Sequence, residues 1–221
     1  MSLARFLVAA AAMAFAGAAS AATHTFDTDP FAGTTALTTP GRQIVGGEPF
    51  LVFDPAVDNI VIDPAVFDVT PPILPFNGLA ADIPNGFNLV VLRDLDADPV
   101  TAGDQMAAGL AANLIAGAVT EDGAGFFFYF NSGLDLVRLV YSTNLSDNTA
   151  DLKVLARFTN LSGSAGAAAM SQIGPQVGAI SAIPEPGVWA LMVVGFGLAG
   201  TALRRRAVAS PNNGGSARAD L

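Results

Sequence analysis

The chain has 221 residues, no cysteine, one histidine and a formal net charge of −9 at pH 7. The absence of cysteine excludes disulfide bonds and every thiol-based zinc, redox or nucleophile site. Residues 22–183 carry 17 acidic side chains and five basic ones, a net charge of −12, which disfavours nucleic acid and anionic lipid as partners because both need Lys and Arg.

The N-terminus has the three parts of a secretory signal peptide. Arg5 precedes an apolar run over 6–15, and Ala19-Ser20-Ala21 fits the small-x-small cleavage rule. The apolar core is about 10 residues long, too short for a bilayer that needs roughly 20. We predict a signal peptide at 1–22, cut just before or after Ala22 after export through the Sec translocon, by signal peptidase.

Residues 23–59 are interrupted by Gly and Pro, and His24 is expected to be mobile near the new N-terminus. Short β-prone runs occur at 43–45, 50–53, 59–62 and 66–69, punctuated by Asp, Pro or Gly. The tetrapeptide at 54–57, Asp-Pro-Ala-Val, recurs at 63–66. Two copies do not make a solenoid, so we predict two similar Asp-Pro turns.

Residues 70–75 predict a stiff extended connector, and 87–93 predict a strand. Alternate aspartates follow that strand and resemble the start of a calcium loop: Asp94, Asp96, Asp98 and, further on, Asp104. The EF-hand pattern fails, since Pro99 replaces its Gly and Gln105 its Glu. Two interpretations stay open, a weak non-EF calcium site at a strand end and a solvated acidic loop capping the next helix.

The next helix is predicted over 104–118. Met106, Leu110 and Leu114 recur at i, i+4 spacing and should form the face that lies on a sheet. Gly109 and Gly117 lower its intrinsic stability, so the helix should depend on packing.

The strongest β signals come last. The aromatic run 125–130 predicts a buried strand, and 134–142 and 151–160 continue it as an antiparallel meander with one face wetter than the other. Residues 161–182, rich in Gly, Ala and Ser, predict a flexible stalk. We therefore expect a mainly-β extracellular domain over 23–160, an antiparallel sheet or sandwich with one packed α-helix.

Residues 183–206 have the composition of a membrane anchor. Two prolines come first, then 16 uncharged residues over 188–203, then three arginines. As a helix the apolar part would span about 24 Å at 1.5 Å per residue, and the arginines would mark its cytoplasmic end. The glycines at 195, 197 and 200 match a dinucleotide-binding fingerprint, but no strand precedes them and no acidic residue follows within a βαβ unit.

This segment resembles the PEP-CTERM sorting signal, in the variant with Trp-Ala after the motif. The matching residues are Pro184, Glu185, Pro186, Trp189 and Ala190, followed by the membrane stop Arg204, Arg205 and Arg206. The resemblance implies a Gram-negative bacterium, transient residence in the inner membrane, and recognition by an exosortase that removes the helix. It also implies release or attachment at the surface, beside exopolysaccharide or biofilm. Residues 207–221 depart from the family by extending past the arginines, and their polar composition predicts a disordered tail.

No sequence pattern of a hydrolase, P-loop or zinc protease occurs in the chain. The leading hypothesis is an exported surface or matrix protein without catalysis of its own and without a required cofactor. The second is a calcium-dependent carbohydrate-binding or adhesive module, and the third is a polysaccharide-modifying enzyme that uses paired aspartates.

Overall fold

The computed structural model describes residues 21–96 and 105–179. The chain divides into two units, Met1–Ile180 and Ser181–Leu221, and every described residue belongs to the first. In the described ranges, no helix combines the length and apolar character that crossing a membrane requires. The predicted membrane anchor, the tail over 207–221 and residues 1–20 of the predicted signal peptide lie outside these ranges.

The described fold is mainly β, with two sheets and two short α-helices. The larger sheet contains β2 (Ile44–Val45), β3 (Phe50–Leu51), β5 (Pro75–Gly78), β6 (Leu89–Leu92), β7 (Gly125–Asn131), β8 (Leu136–Ser142) and β9 (Leu152–Ser162). Their order in the sheet is β2-β9-β8-β7-β6-β5, and β3 also pairs with β9. The smaller sheet has the order β1-β4-β10, made of β1 (Thr23–Phe26), β4 (Asn59–Ile62) and β10 (Val177–Ala179).

The predicted meander is confirmed, but the antiparallel sheet is only part of the architecture. Strands β7, β8 and β9 pair antiparallel, whereas β5, β6 and β7 are mutually parallel and β2 and β3 run parallel to β9. All pairing in the smaller sheet is parallel. The reason lies in the connection from β6 to β7, which contains helix α1 (Ala108–Ala118) and forms the crossover that parallel neighbours need.

Both faces of the larger sheet are covered, and the predicted wetter face of the meander is limited to β8 and β9, where Arg138 and Arg157 are partly buried. On one face Leu89, Phe126 and Phe128 pack with residues of the smaller sheet. On the other face Val90, Phe127 and Tyr129 pack with helix α1. All seven residues of β7 are buried, as expected for a strand enclosed by two layers.

Helix α1 begins at Ala108 and not at 104, and it packs through a different face from the predicted one. Leu110 is 42% exposed. The buried positions are Ala108, Ala111, Ala112 and Ile115, which also follow helical spacing. Alanines let the helix axis approach the sheet closely, so small side chains form the contact face. Met106 is buried before the helix starts.

Residues 161–179 belong to the folded domain, which corrects the prediction of a stalk over 161–182. Strand β9 continues to Ser162, helix α2 (Gly163–Ala169) follows, and a 3-10 turn (Met170–Gln172) leads to β10. Met170, Ile173 and Val177 are buried in the core between the two sheets. Sequence composition suggested flexibility because most side chains here are small, but a few large apolar ones suffice to fix the segment.

Three further local expectations had different outcomes. The two Asp-Pro turns are confirmed, since Asp54 and Asp63 each accept a hydrogen bond from the N–H group two residues later. The run 66–69 is a turn and not a strand, anchored by Tyr141, whose hydroxyl donates to the Phe67 carbonyl (2.7 Å). The connector 70–75 ends in β5, which starts at Pro75.

A buried ionic cluster fixes β2 and β3 to the sheet. Arg138 and Arg157 are direct cross-strand neighbours, an arrangement that repels. Glu48, with a side chain only 1% exposed, accepts from Arg138 Nη2 and Arg157 Nε at 2.5 Å each. Arg138 Nη1 also donates to the Tyr129 hydroxyl (3.2 Å), and Arg157 stacks over Phe50, 5.3 Å from the ring centroid.

Glu48→Gln should lower the free energy of unfolding by about 3–5 kcal/mol, because it leaves two arginines close together with no buried anion. Burial raises the pKa of Glu48, but the hydrogen bonds from Arg157 and Arg138 outweigh it and the net shift is downward. Ionised Glu48 therefore contributes its full stabilisation of the fold at pH values above its pKa in the unfolded chain. This contribution is lost as the pH falls through the lower pKa that Glu48 has in the folded protein. Urea unfolding across pH 2–7 should show a flatter acid limb in the variant than in the wild type.

The matched control is Glu121→Gln, which changes the other described glutamate at an exposed position. It should leave the unfolding free energy within about 0.5 kcal/mol of wild type. Equal effects of the two substitutions would contradict the structural role of Glu48.

Gly166→Ala should destabilise the protein by about 1–3 kcal/mol, the usual range for overpacking. A Cβ at Gly166 would lie 2.2 Å from the carbonyl carbon and 2.4 Å from the oxygen of Leu161. Gly117→Ala in helix α1 is the control, since no atom lies within 4 Å of its added Cβ, and it should stabilise by up to about 1 kcal/mol. Urea unfolding followed by circular dichroism measures both, and an unaffected Gly166→Ala protein would support a flexible stalk.

Candidate functional site

The residues of the predicted sorting signal all lie outside the described ranges. They are Pro184, Glu185, Pro186, Trp189, Ala190, Arg204, Arg205 and Arg206. Their role stays a prediction from sequence. The described domain ends at β10, whose last residue, Ala179, precedes Pro184 by five positions.

The predicted calcium loop is only half described. Asp94 uses its Oδ2 atom to accept from the Ala80 N–H group (2.7 Å), and Asp96 forms a β-bridge with Gln105. Asp98 and Asp104 lie outside the described residues, so the four-aspartate site remains a prediction. Within residues 21–96 and 105–179, no group of three or more His, Asp or Glu side chains is arranged to hold a metal ion.

His24 is part of strand β1, contrary to the expectation of a mobile residue. Its Nε2 atom lies 3.1 Å from the Val52 carbonyl oxygen, and its ring meets that of Phe53 edge-on at 6.1 Å. It therefore ties the first strand to the chain that enters β4.

A polar groove lies where helix α1 ends beside the loops that flank β7 and β8. The groove has a volume of about 620 Å³. One wall comes from the end of α1, a second from the loop before β7, and a third from the turn between β8 and β9. The lining residues are Asn113, Ala116, Gly117, Asp122, Asn144, Ser146, Asp147 and Asn148.

Hydrogen bonds around Asp122 hold the groove walls together. Asp122 Oδ1 accepts from Ser146 Oγ (2.6 Å) and from Asn144 Nδ2 (3.0 Å). Asn144 Oδ1 in turn accepts from the N–H groups of Gly123 (3.2 Å) and Ser146 (3.0 Å). The loop before β7 and the turn after β8 are thus cross-linked by side chains that also face the groove.

Arg42 joins the first wall, the end of helix α1, to the β8–β9 turn. Its Nη1 atom donates to the Gly109 carbonyl (2.8 Å) and to Asn113 Oδ1 (2.7 Å), and its Nε atom donates to the Ala150 carbonyl (3.1 Å). Helix α1 and the β8–β9 turn are therefore held at a fixed separation, and the groove between them is preformed.

Both groove carboxyl groups favour the ionised state. Hydrogen bonds from Ser146 and then Asn144 lower the pKa of Asp122. The backbone N–H and the hydroxyl of Thr149 lower the pKa of Asp147. Two carboxylates of lowered pKa can accept hydrogen bonds from ligand hydroxyls, but neither has the raised pKa that a general acid requires.

A second, less polar cleft of about 280 Å³ adjoins the groove and shares Asp122 with it. Its apolar lining includes Pro71, Pro72, Leu74 and the half-buried Phe87. A strip of polar groups beside an apolar wall is the general composition of a small-molecule site. Here it would suit a ligand with both hydroxyl groups and an apolar face.

Sequence inspection missed this site. It identified residues 146–149 only as a turn, because Asn, Ser and Asp are common turn formers. The available signal was the density of amide, carboxylate and hydroxyl side chains from Asn144 to Thr149. Asp122 and Asn113 gave no signal, since they are 22 and 31 positions away from Asn144 in sequence.

No protein-family model matches the chain, and neither the curated proteins nor the solved structures contain a match to it.

Proposed function

We propose that this chain is an exported surface or extracellular-matrix protein that an exosortase processes near Pro184-Glu185-Pro186. The observation that carries the proposal is the three-part segment 183–206, in which a Pro-Glu-Pro motif, an apolar stretch and three arginines follow one another. The protein resides in the inner membrane before processing and acts within or beside the exopolysaccharide layer. It has no catalytic activity of its own.

The described domain is compatible with such processing. Its last strand ends five positions before Pro184, so a cut near the motif leaves every described element intact. The excess of acidic residues over 22–183 favours solubility outside the cell and disfavours nucleic acid.

Replacing Glu185 by Ala should block the processing step, because it removes the charged residue of the recognition motif. We expect wild-type protein from the cell surface to lack Arg204–Arg206 in mass spectrometry, and the variant to keep these residues and stay in the inner-membrane fraction. Glu121→Gln, far from the motif in sequence, should be processed like wild type. An intact arginine cluster in the final surface form of the wild type would refute the processing claim.

A second candidate function is saccharide binding by the groove around Asp122. The specific support is that preformed polar walls adjoin a less polar cleft with Pro71, Pro72, Leu74 and Phe87 in its lining, since sugars present hydroxyl groups and an apolar ring face. The ionised Asp122 and Asp147 accept from hydroxyls, while Asn113 and Asn148 offer amide groups. This candidate needs no calcium, in contrast to the module predicted from the 94–104 loop.

The lowered pKa values of Asp122 and Asp147 favour binding over hydrolysis at this groove. A retaining or inverting glycosidase needs one carboxyl group that stays protonated near its working pH. Hydrogen bonds that stabilise both carboxylates act against that requirement. We therefore keep the enzyme hypothesis as the least supported of the three.

Asn148→Ala should weaken binding of host exopolysaccharide by about tenfold, the loss of roughly one to two hydrogen bonds. Isothermal titration calorimetry with and without EDTA measures the affinity. Asn148 is exposed, so the variant should fold normally. The control Gln172→Ala removes an exposed amide from a 3-10 turn away from the groove lining and should bind like wild type. No heat with wild-type protein would remove the candidate.

A further inference from the structure

The residue before strand β1, Ala22, is hydrogen-bonded to the buried carboxylate of Asp58. The N–H group of Ala22 donates to Asp58 Oδ1 (2.7 Å), and the Ala22 carbonyl accepts from the Asn59 N–H group (2.8 Å). Asp58 is 7% exposed, and its other oxygen accepts from the Asp54 N–H group (2.8 Å). Ala22 is therefore fixed at both of its peptide groups, whereas Ala21 before it is exposed.

Backbone N–H donors stabilise the Asp58 anion. The N–H groups of Asp54 and then Ala22 hold the pKa of its carboxyl below the ordinary value. His24 is the titratable group that acts on it, and its effect is the smallest of the causes. In the described part of the chain, the salt bridges all involve Glu48 and none involves Asp58.

The small-x-small sequence Ala19-Ser20-Ala21 ends immediately before Ala22, so the peptide bond that a signal peptidase would hydrolyse is the one whose nitrogen already contacts Asp58. We propose that the mature chain begins at Ala22 and that its new α-ammonium group forms a salt bridge with the Asp58 carboxylate. This inference rests on the proposed export.

The chemistry is a simple hydrolysis. Water adds across the Ala21–Ala22 peptide bond, the carboxylate stays on Ala21 in the released leader, and the nitrogen stays on Ala22 and takes up a proton. A neutral N–H donor is thereby replaced by a cationic one at the same position. The bond to the ionised Asp58 is already charge-assisted through its acceptor. The new ammonium adds a direct attraction between opposite charges, so leader removal adds stability to the domain that it starts.

The alternative cut, after Ala22, would have the opposite effect. It would remove both the donor to Asp58 and the acceptor for Asn59, leaving a buried carboxylate with one fewer partner. Unpaired buried polar groups are destabilising. The leader sequence allows both cleavage positions, but only a cut before Ala22 keeps the hydrogen bonds of Ala22 with Asp58 and Asn59.

The full-length chain, produced with export in a Gram-negative host, tests the start site directly. N-terminal sequencing of the exported protein should give Ala-Thr-His-Thr. A mature chain that starts at Thr23 or at any other residue would overturn the inference while leaving the export proposal standing. A protein that keeps its leader and stays in the cytoplasm would instead refute the export proposal.

A chemical probe tests the salt bridge. The chain has one lysine, Lys153, so reductive methylation with carbon-13 formaldehyde labels only two amines in the exported protein, and Lys153→Arg assigns them. In the folded protein the Ala22 amine should react at least about tenfold more slowly than in guanidinium chloride, as expected for one charge-assisted hydrogen bond. Equal rates in the folded and unfolded protein would overturn the inference.

Paired variants separate the salt bridge from general burial. Asp58→Asn should shift the NMR signal of the labelled Ala22 amine and abolish its slow reaction. Asp54→Asn, which alters a nearby carboxylate that accepts from Ala56, should change neither. An unshifted Ala22 signal in Asp58→Asn would contradict the proposed contact, and the wild-type rates decide the matter if that variant does not fold.

Discussion

The architecture depends on the burial of strand β7. Seven consecutive residues from Gly125 to Asn131 are buried, and side chains of a strand point alternately to its two faces. Two separate layers must therefore cover the sheet, and the smaller parallel sheet and helix α1 are those layers. Without either layer, large aromatic side chains such as Phe126 or Phe127 would be exposed to water.

The same constraint explains where polar chemistry occurs in the domain. The sheet interior is apolar on both faces, so its charged cross-strand pair, Arg138 and Arg157, is neutralised in part by Glu48. Other polar side chains gather at the ends of strands, where loops meet. The groove around Asp122 and the contact between Ala22 and Asp58 are two such places, and both fix loops through carboxylates that accept several hydrogen bonds.

The proposals assign targeting and binding to different parts of the chain. Targeting depends on the segments 1–22 and 183–206, where the order of apolar, small and charged residues matters more than any tertiary contact. The proposed binding surface lies on the described domain, whose groove offers polar groups beside a less polar cleft. Export and folding are linked in this proposal. Cleavage of the leader before Ala22 creates the ammonium group that pairs with Asp58, so the domain gains this contact during export.

The sequence by itself determined the mainly-β class, the meander from β7 to β9 and the two Asp-Pro turns, because these features follow from local alternation and turn chemistry. It also carries the whole argument for sorting. Only tertiary structure decided the parallel pairing of β6 with β7, the packing of α1 through its alanines and the folding of 161–179. Each of these features depends on contacts with residues that are distant in sequence. The groove also depends on tertiary structure, because Asn113, Asp122 and Asn148 come together only when helix α1 packs on the sheet.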